Sequence, residues 1–245
     1  MEHRPFVLSG GGVRGAAHAG VLQALALRGI VPDAISGTSA GALVGALVAD
    51  GHAPGDLMPM LHDALRHARL WRRPRAGSRR LEDFLRAHLR AERFEDLRMP
   101  LHVTATDLER GGQRIFSAGP LVPALMASCA VPLVFPPVLI DGTHYVDGGL
   151  SNNLPVEPFA ARHAETIAVY VNPLSPFGPG RLGRFAMLDR VWHLSFRELV
   201  MRSAKGCHLF IEPPALSAFV MFDLRKLEAA ERIGFAYATA LPLPA

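Results

Sequence analysis

The sequence predicts an α/β fold with parallel strand pairing, and three observations predict it. Two strand-turn-helix units follow one another between Phe6 and Ala49. Residues 42–49 have no polar side, so a helix there must be buried against a sheet. The chain has 245 residues, 49% of them hydrophobic and 20% charged, which suits one globular domain, residues 1–245, with a sizeable core.

In chain order, Phe6-Val7-Leu8 is a short apolar run, a strand that ends in the loop Ser9-Gly10-Gly11-Gly12. Residues 16–27 repeat apolar side chains at helical spacing. Ala34-Ile35-Ser36 reads as a second strand, residues 37–41 as a turn and 42–49 as the buried helix. Residues 54–98 turn helical and basic, interrupted at Gly77. They form either helices packed over one end of the sheet or a lid-like cover, and the pattern leaves both open. Residues 101–105 form a further strand, Arg110-Gly111-Gly112 a turn and 113–116 its hairpin partner. A second hairpin joins 138–140 to 143–146 through Asp141-Gly142, so Asp147 stands where the returning strand ends. Residues 166–171 are the last central strand, 184–202 a long amphipathic helix, 208–211 a strand and 224–240 a closing helix. There is no internal repeat or low-complexity segment.

Charge and cysteine usage exclude several function classes. The formal net charge is +4 and the pI about 9.6, carried by arginine, since Lys205 and Lys226 are the only lysines. Arg66, Arg69, Arg72, Arg73, Arg75, Arg79 and Arg80 surround Leu70 and Trp71, as a solvated linker or as a contact for anionic lipid head groups. No nucleic-acid recognition motif accompanies them, so nucleic acid is not an expected partner. Cys129 and Cys207 offer neither a disulfide framework nor metal-ligand spacing, and core packing is their default role. The longest strongly apolar stretch, 40–49, is too short to span a bilayer, and residues 1–5 lead into the glycine loop rather than a signal peptide. A cytoplasmic protein, with peripheral membrane contact as an option, is the expectation. Oligomeric state is not legible.

The chemistry begins at Gly37-Thr38-Ser39-Ala40-Gly41, a G-x-S-x-G pattern set between a strand and a helix. A nucleophilic serine there occupies a sharp turn that flanking glycines permit, and the helix N-terminus favours developing negative charge. Gly10-Gly11-Gly12-Val13-Arg14-Gly15 can turn several backbone N–H groups toward one anion, as an oxyanion hole or a phosphate cradle. It also satisfies G-x-G-x-x-G, with Asp33 near the position of a ribose-binding acid. A dinucleotide site would leave residues 37–41 unexplained, whereas hydrolysis uses both loops. Asp147-Gly148-Gly149 adds a carboxylate at a strand end, followed by two glycines that allow close backbone approach.

Together the glycine loop, the serine elbow and Asp147-Gly148-Gly149 resemble the patatin-like phospholipase family. Thr104-Ala105-Thr106-Asp107-Leu108, residues 127–132 with Phe135-Pro136, residues 147–155, Phe222-Asp223 and Ile233-Gly234 extend the resemblance over most of the chain. It implies a three-layer α/β/α fold with a mostly parallel central sheet. It also implies a Ser-Asp dyad that hydrolyses acyl esters of lipids without metal or cofactor. Carried over, Ser39 is the nucleophile, Asp147 the base, and the amides of Gly11 and Gly12 the oxyanion hole with Arg14 beside them. Arg14 would then attract a lipid phosphate or support the loop. Gly10, Gly15, Gly37, Gly41, Gly148 and Gly149 support these motifs.

A carboxylate with an ordinary pKa near 3.9 is a weak base for a hydroxyl, so the dyad requires a desolvated cleft that raises it. The alternative is a Ser-His-Asp triad, with His163, His193 or His208 as third member; His18 falls inside the first helix. A rival of another class is a catalytically idle lipid-binding or scaffolding protein on the same fold. Phe185, Leu188, Val191, Trp192, Phe196, Leu199 and Val200 give the 184–202 helix an apolar face for the core or for a membrane surface. Pro132, Pro136 and Pro137 flank Leu133-Val134-Phe135 as an acyl-binding wall or a rigid turn.

Overall fold

Side chains alternate across the central strands, and that alternation makes three layers. In strand β1 (Glu2–Leu8), Phe6 and Leu8 enter one core and Val7 the other. Far along the chain, Ile167 and Val169 of β7 (Ile167–Val169) join the first core and Ala168 the second. The computed structural model describes residues 1–65, 74–174, 183–220 and 223–242.

The first core is covered by α1 (Ala16–Leu27), α2 (Ala40–Ala49), α4 (Pro74–His88), α5 (Leu121–Ser128) and α7 (Leu227–Ala240). The second is covered by α6 (Arg184–Ala204) through Phe196, Val200 and Ala204. Between them lies a mixed sheet that adds β2 (Ile30–Thr38), β3 (Leu101–Asp107), β4 (Gln113–Phe116), β5 (Val138–Ile140), β6 (Thr143–Asp147) and β8 (Leu209–Ile211). The order is β5-β6-β3-β2-β1-β7-β8, with β4 paired to β3. The pairs β3–β2, β2–β1, β1–β7 and β7–β8 are parallel, and the β4, β5 and β6 pairings are antiparallel. Parallel strands covered on both faces have no solvent side, which is why Phe6-Val7-Leu8 and residues 167–169 are apolar throughout.

The expected elements are present, with bounds that differ for physical reasons. Strand β2 begins at Ile30 rather than Ala34 and contains Pro32; the pairing with β1 slips between Arg4 and Pro5, where these imino residues interrupt the ladder. One 3-10 turn, Leu224–Lys226, precedes α7. Helix α5 has no counterpart among the elements that the sequence predicts. The described parts of residues 54–98 include α3 (Leu57–Leu65) and α4, and α4 buries Leu81, Phe84 and Leu85 in the first core and packs against α5. They belong to the helical layer. Residues 66–73, with most of the arginine cluster and Trp71, lie outside the described residues. Along α6, Phe196 and Val200 are buried whereas Met187, Val191 and Leu194 are exposed; the side chains of Phe185, Leu188 and Trp192 lie outside the described residues. No helix among the described residues is long and apolar enough to cross a membrane.

Candidate active site

Strand β3 brings two distant segments to one place. Its first half pairs with β2, setting Thr38 opposite Thr104; its second half pairs with β6, setting Asp147 opposite Ala105. Ser39 therefore leaves β2 one step from where Asp147 ends β6. Leu8 of β1 lies opposite Gly37 on one side and Val169 on the other, so the glycine loop and Asn172 leave the sheet at the same carboxyl edge. That edge is where α/β sheets hold ligands.

Ser39 has φ 52° and ψ −121°, left-handed backbone that a non-glycine residue adopts only when its surroundings impose it. Here the β2–α2 turn imposes it. A β-carbon at Gly41 would stand 2.2 Å from the Leu8 carbonyl oxygen, so only glycine lets α2 start this close to β1. The Ser39 amide donates to Ser128 Oγ at 2.8 Å, and that hydroxyl donates to the Thr104 carbonyl at 2.6 Å. Ser39 stands at the N-terminus of α2, where the Leu43 amide donates to its carbonyl. Of the supporting glycines, Gly15 packs on Ala40, Gly37 on the backbone of Ala42 and Gly148 on the Thr104 carbonyl.

Asp147 is 4% exposed. Its Oδ1 accepts from the Gly149 amide at 2.8 Å, while Oδ2 has no well-formed hydrogen bond among the described residues. Burial pushes the carboxyl up to about 6, opposed by the nearby Ser39 hydroxyl and by the Gly149 amide. The Ser39 hydroxyl is thus close enough to favour the charged form without completing a hydrogen bond to Oδ2. Thr106 Oγ1 donates to the Asp147 carbonyl at 2.8 Å, and the Asp147 amide donates to Ala130 O at 3.0 Å. Cys129 is buried beside the pair, its thiol pushed up by burial and then by the Asp147 charge.

In the glycine loop, Gly12 has φ 56°. The Gly10 amide donates to Asn153 O at 3.2 Å, whereas the Gly11 and Gly12 amides donate to no acceptor among the described residues. Arg14 is 4% exposed, and its guanidinium is turned inward. It donates to the Phe219 carbonyl from Nε at 2.8 Å and also from Nη2, and from Nη1 to Asn172 Oδ1 at 3.2 Å and to His193 Nε2 at 3.1 Å. This geometry favours loop support over attraction of a lipid phosphate. Asn172 Nδ2 in turn donates to Gly10 O at 2.6 Å and to Asn153 Oδ1 at 3.4 Å.

Serine elbow, buried carboxylate and open glycine amides share one cleft with Val131, Asn153, Asn172, His193 and Phe196. A family model described as patatin-like phospholipase matches residues 6–160. The chain belongs to the patatin-like phospholipase family. An NTE family protein of Mycobacterium bovis, named as uncharacterized, is 40% identical over 187 residues, 72% of this chain and 51% of the relative. The lysophospholipase NTE1 of Kluyveromyces lactis is 28% identical over 274 residues, 95% of this chain and 18% of that protein. The chain thus spans about half the length of the mycobacterial relatives it matches. Among solved structures, VipD from Legionella pneumophila aligns with a TM-score of 0.62 at 16% identity, over 97% of this chain and 66% of that one. That likeness is one of fold, and it agrees with the α/β architecture.

Within this patatin-like site the histidines divide cleanly. Only His193 of the three triad candidates lines the cleft, and its Nε2 accepts from Arg14 rather than facing Ser39. His163 Nε2 donates to Lys205 O at 3.0 Å, and His208 is not among the cleft residues. His18 donates from Nε2 to the Ser9 carbonyl at 2.8 Å, and burial lowers its pKa to about 4, so it is neutral. Of the proline-flanked segment, Val131 just before it lines the cleft, while Leu133 is 93% exposed at φ 69° and Phe135 is buried. Asp33 pairs with Arg162 at 2.8 Å and is not a cleft residue. Sequence reasoning missed Ser128, Asn153 and Asn172, whose hydrogen bonds run between distant segments and leave no spacing signal.

Proposed function

We propose that residues 1–245 form one catalytic domain, a serine acyl hydrolase that cleaves ester bonds of lipids. Asp147 takes the Ser39 hydroxyl proton as Oγ attacks the ester carbonyl carbon. The Gly11 and Gly12 amides hold the oxyanion. Collapse expels the alcohol, which leaves with the proton held by Asp147, and the acyl group remains on Ser39. Water then gives a proton to Asp147 and attacks the acyl-enzyme; Ser39 recovers that proton as the fatty acid departs.

The observation that carries this reading is the buried Oδ2 of Asp147 beside Ser39, in a cleft with two glycine amides, all three without a hydrogen-bond partner among the described residues. A buried polar atom without a partner is rare and points to function. Its raised pKa answers the weakness of an ordinary carboxylate as base. The lysophospholipase name of the yeast relative makes lysophospholipid a substrate to test alongside phospholipid.

The test is hydrolysis of short and long p-nitrophenyl esters, of lysophospholipid and of phospholipid vesicles. Native protein is compared with Ser39→Ala and Asp147→Asn, with every histidine intact. Both variants should lose at least about 1,000-fold in kcat while remaining folded. An active Asp147→Asn protein means another base; a native protein that cleaves none of the four leaves a lipid-binding role.

A further inference from the structure

We propose that the side-chain amide of Asn153 is a third oxyanion donor, a role that rests on the hydrolase reading above. The argument starts from Arg14, whose guanidinium can only donate. The Asn172 atom that faces it at 3.2 Å is therefore Oδ1. Asn172 Nδ2 consequently faces Gly10 O at 2.6 Å, a carbonyl that can only accept. The same Nδ2 reaches Asn153 at 3.4 Å, so the Asn153 atom there is Oδ1. Turning either carboxamide over would set donor against donor. A charged residue thus dictates, through Asn172, that Asn153 presents its N–H groups on the side away from Asn172.

On that side stand the reacting groups. The point beside Gly10 where a β-carbon would sit is 2.9 Å from Asn153 Nδ2 and 3.3 Å from Ser39 Cβ. The equivalent point at Gly149 is 2.9 Å from Nδ2 and 3.0 Å from Asp147 Oδ1. The amide therefore lies across two glycines from nucleophile and base, in space that any larger residue at either position would fill. Asn153 is 4% exposed and lines the cleft, and its Nδ2, which makes no hydrogen bond among the described residues, is not a sealed-off atom but opens on that cleft. An amide N–H that opens on the cleft with no protein acceptor is available to donate to a ligand bound there. The acceptor that the reaction creates beside Ser39 is the tetrahedral oxyanion. Gly11, Gly12 and Asn153 then bind it as three neutral donors, two fixed by backbone and one by the Arg14–Asn172 relay.

Asn153→Ala should lower kcat for a p-nitrophenyl ester on the order of 100-fold with KM within a few fold, the loss expected for one oxyanion donor. Its affinity for a trifluoromethyl ketone, which forms an oxyanion on the nucleophile, should fall by the same factor. Asn153→Asp keeps the shape but places an acceptor there, so it should be at least as slow, and it serves if the alanine variant does not fold. Ser36→Ala removes a buried 2.7 Å hydrogen bond to Pro155 O outside the cleft and controls for lost packing alone. The proposal is overturned if Asn153→Ala stays within about threefold of native kcat, or if ketone affinity is unchanged. An active native enzyme with an indifferent Asn153 sinks only the third donor. A native protein that cleaves no ester removes the hydrolase reading and this inference together.

Discussion

Asp147 holds its charge where burial resists it, and both activity and stability should record that. In the proposed mechanism Asp147 must be ionised to accept the Ser39 proton, so kcat/KM for a soluble ester should rise with pH along a limb centred near 6. A limb near 4, or one that vanishes in His193→Gln, would contradict the assignment. The stability effect has a definite sign, because the folded pKa lies above the unfolded value of 3.8. The native state favours protonated Asp147, a contribution full below about pH 4 and lost as pH rises through about 6. Asp147→Asn should accordingly be more stable than native protein at neutral pH, by up to about 3 kcal/mol, with the difference closing toward pH 4 in urea titrations. Ser39, Asp147 and the glycine loop were legible because each sits in a short motif whose spacing is dictated by a turn. Asn153 was not, since its orientation is set by a guanidinium and a carboxamide far away in the chain.

At the scale of elements, local turn chemistry was the most legible feature. Asp141 and Gly142 take φ 47° and 81°, both positive, as a two-residue hairpin between β5 and β6 requires, and that hairpin delivers Asp147. Helix α5 was not legible, because Leu121-Val-Pro-Ala-Leu-Met-Ala-Ser is apolar on every side and carries a proline in its first turn. It nevertheless supplies Ser128 to the Ser39 amide. The α1–α7 pair shows how an element far from the chemistry can govern it. A β-carbon at Gly20 would stand 2.1 Å from Glu231 O, and one at Gly234 2.2 Å from Ala17 O, so the two helix backbones are nearly in contact. Gly234→Ala gains about 1 kcal/mol of helix propensity, but overpacking against a backbone oxygen that cannot swing aside costs about 1–3 kcal/mol. At so short an approach the clash should win, giving a lower urea midpoint. Because α1 begins directly after Gly15, kcat should fall as well. A Gly234→Ala protein as stable and as active as native would mean that the helices separate freely.

Over the whole molecule, Arg14 joins parts of the chain that the sheet alone leaves independent. From the glycine loop it reaches Asn172 beyond β7, His193 on α6 and the Phe219 carbonyl. The meeting of Ser39 with Asp147 is likewise a property of the assembled sheet, since β3 is parallel to β2 along one half and antiparallel to β6 along the other. Periodicity could announce such strands but not their order, and the resemblance between motifs implied only the layers and a mostly parallel sheet. If Arg14 acts on the reaction through Asn172 and Asn153, its loss and theirs cannot be independent. Arg14→Met should destabilise the fold, because Phe219 O, Asn172 Oδ1 and His193 Nε2 lose a buried charged donor at about 1–3 kcal/mol each before relaxation. It should also slow ester hydrolysis, because Asn172 then keeps only the Gly10 carbonyl to orient it, and Asn153 is held less firmly. A double-mutant cycle of Arg14→Met with Asn153→Ala decides the matter at a temperature where both singles are folded. Coupling through the relay makes the double variant about as slow in kcat as the slower single. Losses that simply multiply would mean that Arg14 acts through Phe219 or His193, with Asn153 oriented by other means.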